Sequence, residues 1–151
     1  MNYLKVYNKE NTEYYKGITS LLSSEDLLIL EQESWFFPWI QEYFTPNRVV
    51  HKLLLRNSDY VIQGLISYSY QDNFLLINFL ESAPINKTDH GLKISPALIT
   101  IACIESFKLG FDGFVAMDVK LNTKLIKYYE SLGAIYIGRN RMVLDTFHPI
   151  Q

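Results

Sequence analysis

The chain is short of several things, and each shortage excludes something. It has a single cysteine, Cys103, so no internal disulfide can form. A lone thiol fits a reducing compartment. Glycine is scarce, at 7 of 151 residues, and proline numbers 5. Low-complexity and disordered chains are richer in both. Neither sign of charge dominates, since 14 basic residues stand against 16 acidic ones for a net charge of −2. A nucleic-acid partner is therefore not expected, because phosphate binding calls for a basic surplus. The apolar runs stop well short of the roughly 20 residues that a bilayer span requires. The first ten residues alternate in polarity and lack a signal-peptide core. These shortages point to a cytoplasmic protein with no membrane partner. His51, His90 and His148 show no ligand spacing, so no metal is expected. Neither a serine nucleophile elbow nor a dinucleotide fingerprint is present.

What the chain does have is apolar bulk. Apolar residues make up 48%, with 11 Tyr and 9 Phe. A chain of this length buries roughly two thirds of its unfolded surface. With no repeat and no linker, residues 1–151 read as one domain.

Leu4, Val6 and Tyr7 suggest a first strand. Asn11 or Thr12 is placed to cap a helix reaching about Leu22. Ser24 is the expected N-cap of a second helix through Glu31. Trp35, Phe36, Phe37 and Trp39, broken by Pro38, form an aromatic segment. It reads either as a lid over the core or as the wall of a small-molecule site. Residues 49–56, 60–70 and 74–83 read as a three-strand meander, with turns at 57–59 and 71–73. Gly64 marks a bulge or a close backbone approach. A polar loop over 85–93 then leads to a long helix opening at Ser95-Pro96 and ending at Gly110. Residues 114–119 form an apolar run suited to a buried parallel strand. Asn122 caps the next helix, whose face is Leu125, Ile126, Tyr129 and Leu132, and Gly133 closes it. A hairpin across Arg139-Asn140 ends the fold. The fold class is α/β, with a mixed sheet and helices on both faces.

Residues 79–138 resemble the acetyl-CoA-binding half of the GCN5-related N-acetyltransferases. The resemblance rests on Phe79-Leu80-Glu81-Ser82-Ala83-Pro84, on the loop His90-Gly91-Leu92-Lys93-Ile94-Ser95 opening a helix, on the buried strand after Gly113, and on Asn122 seven residues before Tyr129 in a Tyr-Glu-Ser-Leu-Gly ending. The wording around Glu81 and around Ser106 is also similar to a small bacterial branch of that family. The resemblance implies a mostly antiparallel sheet and an N-acetyltransferase using acetyl-CoA and a small-molecule or peptide amine acceptor. It implies Glu81 as the base and Tyr129 as the acid. It places the cofactor against Ser82, Ala83, Gly91, Leu92, Lys93, Ile94 and Ser95, with Asn122 near the pantetheine arm. The family's phosphate loop has glycines where this chain has Lys93 and Ser95, and Asn86-Lys87-Thr88-Asp89 lengthens it. Lys93 by its charge and Ser95 by its hydroxyl are the substitutes. The alternative is a non-catalytic binding or regulatory module of the same fold that no longer binds acetyl-CoA productively.

The residues also carry plainer readings. Glu81 reads equally as a strand-end carboxylate paired with a cation, and Tyr129 as a core tyrosine. Cys103 reads as a buried structural thiol. The exposed aromatics leave room for a homodimer.

Overall fold

The computed structural model describes residues 4–58, 60–87, 91–119 and 122–145. Among them nine strands form one sheet: β1 (Leu4–Asn8), β2 (Glu13–Leu21), β3 (Val49–Leu55), β4 (Gly64–Tyr70), β5 (Leu75–Ser82), β6 (Leu92–Lys93), β7 (Val115–Asp118), β8 (Ile135–Gly138) and β9 (Arg141–Leu144). Their order across the sheet is β6-β1-β2-β3-β4-β5-β7-β9-β8. The helices are α1 (Asp26–Glu31), α2 (Trp39–Phe44), α3 (Ile94–Lys108) and α4 (Thr123–Ser131). The sheet is mixed and mostly antiparallel, with β5 and β7 parallel. Two compact units divide the chain, Met1–Ser67 with Phe79–Ile99 and Tyr68–Asn78 with Thr100–Gln151.

In the first unit, the segment expected as a helix over 12–22 is the strand β2. Tyr14, Tyr15, Ile18 and Thr19 are strand formers. Asn11 and Thr12 make the turn instead of a cap. Thr12 has φ 59, and Asn11 Oδ1 accepts the Glu13 N–H at 3.0 Å. β2 pairs with β1 from Leu4↔Gly17 to Asn8↔Glu13. Gly17 hides the alternation, because the buried place on this strand is filled by neighbours. A Cβ there would lie 3.0 Å from Val6 and 3.1 Å from Leu53.

Ser24 does not cap α1. The N-cap position is Glu25 and makes no side-chain cap bond. Asp26 reaches back instead, and its Oδ2 accepts the Ser23 N–H at 2.8 Å and the Ser23 hydroxyl at 2.9 Å. Lys52 Nζ donates to the same oxygen at 2.8 Å. Burial opposes the charge on Asp26, but Lys52 and Ser23 outweigh it and hold the carboxyl below its usual range. The core here joins Leu22, Leu30, Trp39, Val50, Leu54, Ile62 and Leu65, with Phe37 and Phe79 packed on it. Gly64 opens β4 and is a close approach. A Cβ would stand 2.6 Å from Ile94 Cγ2 and 3.2 Å from the Glu81 carbonyl oxygen.

α3 starts at Ile94, so Ser95 and Pro96 occupy its first turn and Ser95 is not the cap. Ile94, Ala97, Leu98, Ile99, Ile101 and Ala102 are all at most 3% exposed. A helix buried on several sides shows no single apolar stripe. Gly110, with φ 83, ends it.

In the second unit, β5 pairs with β7 from Leu75↔Val115 to Ile77↔Met117. Ser106 Oγ donates to the Phe114 carbonyl at 2.7 Å and ties α3 to the approach of β7. Cys103 is buried, and burial pushes its thiol up to about 11, as befits an inert core group. Asn122 caps α4, its Oδ1 accepting the N–H groups of Lys124 at 3.0 Å and Leu125 at 3.2 Å. At the other end, Gly133 N donates to the Glu130 carbonyl and Ala134 N to that of Tyr129, with Gly133 at φ 101. This is the Schellman pattern. Asn122→Ala is expected to cost about 1 kcal/mol. Urea unfolding of the two chains checks it, and an unchanged midpoint would remove the cap from the account.

Candidate functional site

Glu81 sits at the buried end of β5, 7% exposed. Its Oε2 accepts the Phe36 N–H at 2.8 Å, and its Oε1 accepts the Phe37 N–H at 3.0 Å and the Trp39 indole N–H at 2.8 Å. An acceptor-only carboxylate suits three converging donors. The aromatic segment is thus fixed to β5 by one side chain. Pro38 sits at the N-cap of α2 with ψ 72, and the helix then carries Trp39 inward to 2% exposure. Phe37 meets Phe79 at 4.8 Å between ring centroids and Trp39 at 6.2 Å. The segment packs on the core, as one of the two expectations has it, and it also lines a groove. That groove, of about 430 Å³, is bounded by Leu30, Glu33, Trp35, Phe37, Pro38, Trp39, Ile40 and Gln41.

Ser82 is half-buried at the end of β5, while Ala83 is fully buried and its N–H donates to the Gln63 carbonyl at 2.9 Å. Asn86 Nδ2 donates to the same carbonyl at 3.0 Å. The Gly91 carbonyl accepts the Lys9 N–H at 2.9 Å. A Cβ on Gly91 would meet the Asn8 carboxamide at 2.6 Å, which explains the glycine. Leu92 and Lys93 are β6, in register with Asn8 and Tyr7 of β1. Lys93 is exposed, Ser95 half-buried, and Ile94 is a core residue at 2% exposure. The Ile94 and Ser95 amides stand in the first turn of α3, where a helix has no acceptors of its own. His90, Thr88 and Asp89 lie outside the described residues, as do Asp59 and His148.

Tyr129 is 9% exposed on the buried face of α4, with its ring against Tyr128 at 5.3 Å. Its hydroxyl makes no hydrogen bond among the described residues. Burial, with a smaller contribution from Tyr128, pushes this phenol up to about 12. It keeps its proton at neutral pH. Asn122 is exposed and spends its oxygen on the cap, so its NH2 is the part left for a ligand.

Sequence reasoning missed two carboxylates. Glu42 is 6% exposed on α2, and its Oε1 accepts from Ser67 Oγ at 2.6 Å and from Arg48 Nη1 at 2.8 Å. Its place three residues after Trp39 was the available signal, since i and i+3 share a helix face. Glu33 accepts the Trp35 indole N–H at 3.0 Å. Among the described residues no three His, Cys, Asp or Glu side chains gather as metal ligands would. No helix among them is long and apolar enough to cross a membrane.

No protein-family model matches the sequence, and no curated protein does. Solved structures do match. The chain is similar to the ribosomal-protein-S18-alanine N-acetyltransferase of Escherichia coli at 19% identity, over 89% of this chain and 94% of that one, with a TM-score of 0.59. It is similar to variant forms of the spermidine/spermine N-acetyltransferase of Vibrio cholerae at 15% identity, over 84% and 90%, with a TM-score of 0.58. It is also similar to AtaTR bound with AcCoA at 13% identity, over 87% and 94%, with a TM-score of 0.55. The sheet order, the parallel β5–β7 ladder and these likenesses agree on one architecture. This chain has the fold of the GCN5-related N-acetyltransferases.

Proposed function

We propose that the chain is an N-acetyltransferase that moves the acetyl group of acetyl-CoA onto an amine of a small molecule or peptide. The observation that carries this reading is Tyr129, a largely buried phenol on α4 that is protonated at neutral pH. Such a group is suited to protonating a departing thiolate. The likeness in fold to solved N-acetyltransferases, one of them bound with AcCoA, supports the same chemistry.

The chain's own residues divide the work. Acetyl-CoA supplies an activated acyl thioester. The Ile94 and Ser95 amides, with the helix dipole behind them, favour a pyrophosphate at the start of α3. Lys93 Nζ and Ser95 Oγ add donors where glycines would have let the backbone approach more closely. The pairing of β5 with β7 ends at Ile77↔Met117, and the strand runs on to Ser82. The backbone of that later stretch is where a pantetheine arm would lie. Glu81 takes the acceptor's proton, directly or through a water. Its oxygens accept the Phe36, Phe37 and Trp39 N–H groups, which hold the carboxylate in place.

Calorimetric titration with acetyl-CoA and with free CoA tests the reading. Micromolar binding is expected, followed by acetylation in a screen of amines. An absence of heat at millimolar acetyl-CoA would leave a non-catalytic module of this fold.

A further inference from the structure

We infer that the outward face of β5, β7, β9 and β8 packs on the same face of a second copy of this chain, about a two-fold axis that runs along the strands between β7 and β9. Side chains alternate across a sheet, and here the two faces differ. On one face Leu75, Ile77, Val115, Met117, Met142 and Leu144 are at most 5% exposed. On the other, Ile135 is 60% exposed, Ile137 58% and Phe114 41%. Leu76 and Val143 are half-buried on that second face. A groove of about 270 Å³ also lies on it, lined by Phe74, Phe114, Ala116, Ile137, Arg141 and Val143. All of these residues belong to the second compact unit.

The strand register makes this face complementary to itself. One row crosses the four strands, Leu76↔Ala116, Ala116↔Val143 and Val143↔Ile135. A two-fold axis between β7 and β9 sets β7 opposite β9 of the second copy, and β5 opposite its β8. Ala116 then faces Val143, and the half-buried Leu76 faces the projecting Ile135. Small or recessed meets large at each contact. Sheets packed face to face cross at about 30°, which a face of four short strands accommodates.

The charges follow the same symmetry. Asp118 and Arg141 are register partners on β7 and β9, so the axis brings each of them opposite the other's counterpart. Within one copy, Arg141 Nε and Nη2 donate to Asp118 Oδ1 and Oδ2 at 2.9 and 3.4 Å. Their side chains are still 36% and 59% exposed. A guanidinium has five N–H donors and a carboxylate about four acceptor positions, so both have capacity left. Two copies close a ring of four charges that alternate in sign. A strongly acidic or strongly basic partner would instead meet a like charge at Asp118 or at Arg141.

Four strands about 4.8 Å apart make a face about 19 Å wide. That is small beside the roughly 800 Å² per partner of a stable complex, so the dimer is weak, with a Kd of about 50 μM. Nothing in this contact depends on the proposed acetyl transfer, and the acetyl-CoA titration stands or falls separately.

Sedimentation velocity of the full chain from about 1 to about 500 μM tests the inference. A shift from monomer to dimer is expected across that range. Arg141→Glu makes the two facing positions wholly acidic, and Asp118→Arg makes them wholly basic. Each variant alone is expected to dimerise at least about tenfold more weakly. An equimolar mixture of the two restores opposite signs at both contacts and is expected to recover the dimer. Circular dichroism checks that both variants fold. Ile135→Ser changes an exposed position, removes the projecting side chain and is also expected to weaken the dimer about tenfold, so the test survives a charge variant that fails to fold. A chain that stays monomeric at about 500 μM, folded single variants that dimerise as the parent does, or a mixture of folded variants that stays monomeric would each overturn the inference.

Discussion

Glu81→Ala is expected to destabilise the protein by about 3 kcal/mol and to release the aromatic segment from β5. The truncation removes the acceptor of three N–H donors at once, two from the backbone and one from an indole. Each bond to a charged acceptor is worth about 1.5–3 kcal/mol, but the losses are not additive, because the segment can turn towards water once freed. Trp39 is 2% exposed, so its indole N–H is the donor with least access to solvent. Glu81→Gln should fall between the two chains. The amide oxygen can keep the Phe37 and Trp39 donors, but the NH2 then faces the Phe36 N–H, donor against donor. Urea unfolding with tryptophan fluorescence measures both changes. A loss below about 1 kcal/mol for the alanine variant would mean that the segment is held by ring packing alone. The base role is separable: the glutamine variant should lose turnover more than its stability explains.

This clamp was only half legible in the sequence. The strand-end position of Glu81 and the cluster Trp35–Trp39 each stood out. Nothing local links positions 45 residues apart, and the donors are mainly backbone amides, which carry no side-chain signal. Of the elements from β3 to β9, all but β6 were readable because each has a local mark; Leu92 and Lys93, expected within a polar loop, pair with β1 as a strand of two residues that has no pattern of its own. Asn122 and Gly133 fix the ends of α4, and Gly110 fixes the end of α3. β2 was misread because its inward place is a glycine, covered by Val6 and Leu53 from neighbouring strands. Binary pattern fails where burial comes from a partner's side chains and not the strand's own. Gly64 illustrates the opposite case. It was legible as a close approach, and Ile94 and the Glu81 backbone are what approach it.

Tyr129→Phe is expected to lower turnover with an identified acceptor by about 100-fold or more while leaving neutral-pH stability nearly unchanged. The two effects separate because the ring carries the packing and the hydroxyl carries no hydrogen bond among the described residues. Phenylalanine keeps the first and deletes the second. The pH dependence has a definite sign. Below pH 10.0 the phenol is protonated in both the folded and the unfolded chain, and it contributes no slope. From 10.0 to about 12 the unfolded chain releases the proton and the folded chain retains it, so stability is lost as pH rises. One such group accounts for about 1.4 kcal/mol per pH unit. Phenylalanine at 129 should remove that portion of the alkaline decline. Cys103, pushed from 9.0 to about 11, and Tyr68, pushed up more strongly, should retain theirs, all mainly by burial. Urea midpoints from pH 8 to 12 give the stability arm, and single-turnover kinetics at neutral pH give the catalytic arm. Unchanged turnover would remove Tyr129 from the chemistry. An unchanged alkaline slope would mean that its ring is less buried than the structure shows. Loss of turnover together with loss of neutral-pH stability would make the hydroxyl a structural group, and the thiolate would then take its proton from elsewhere.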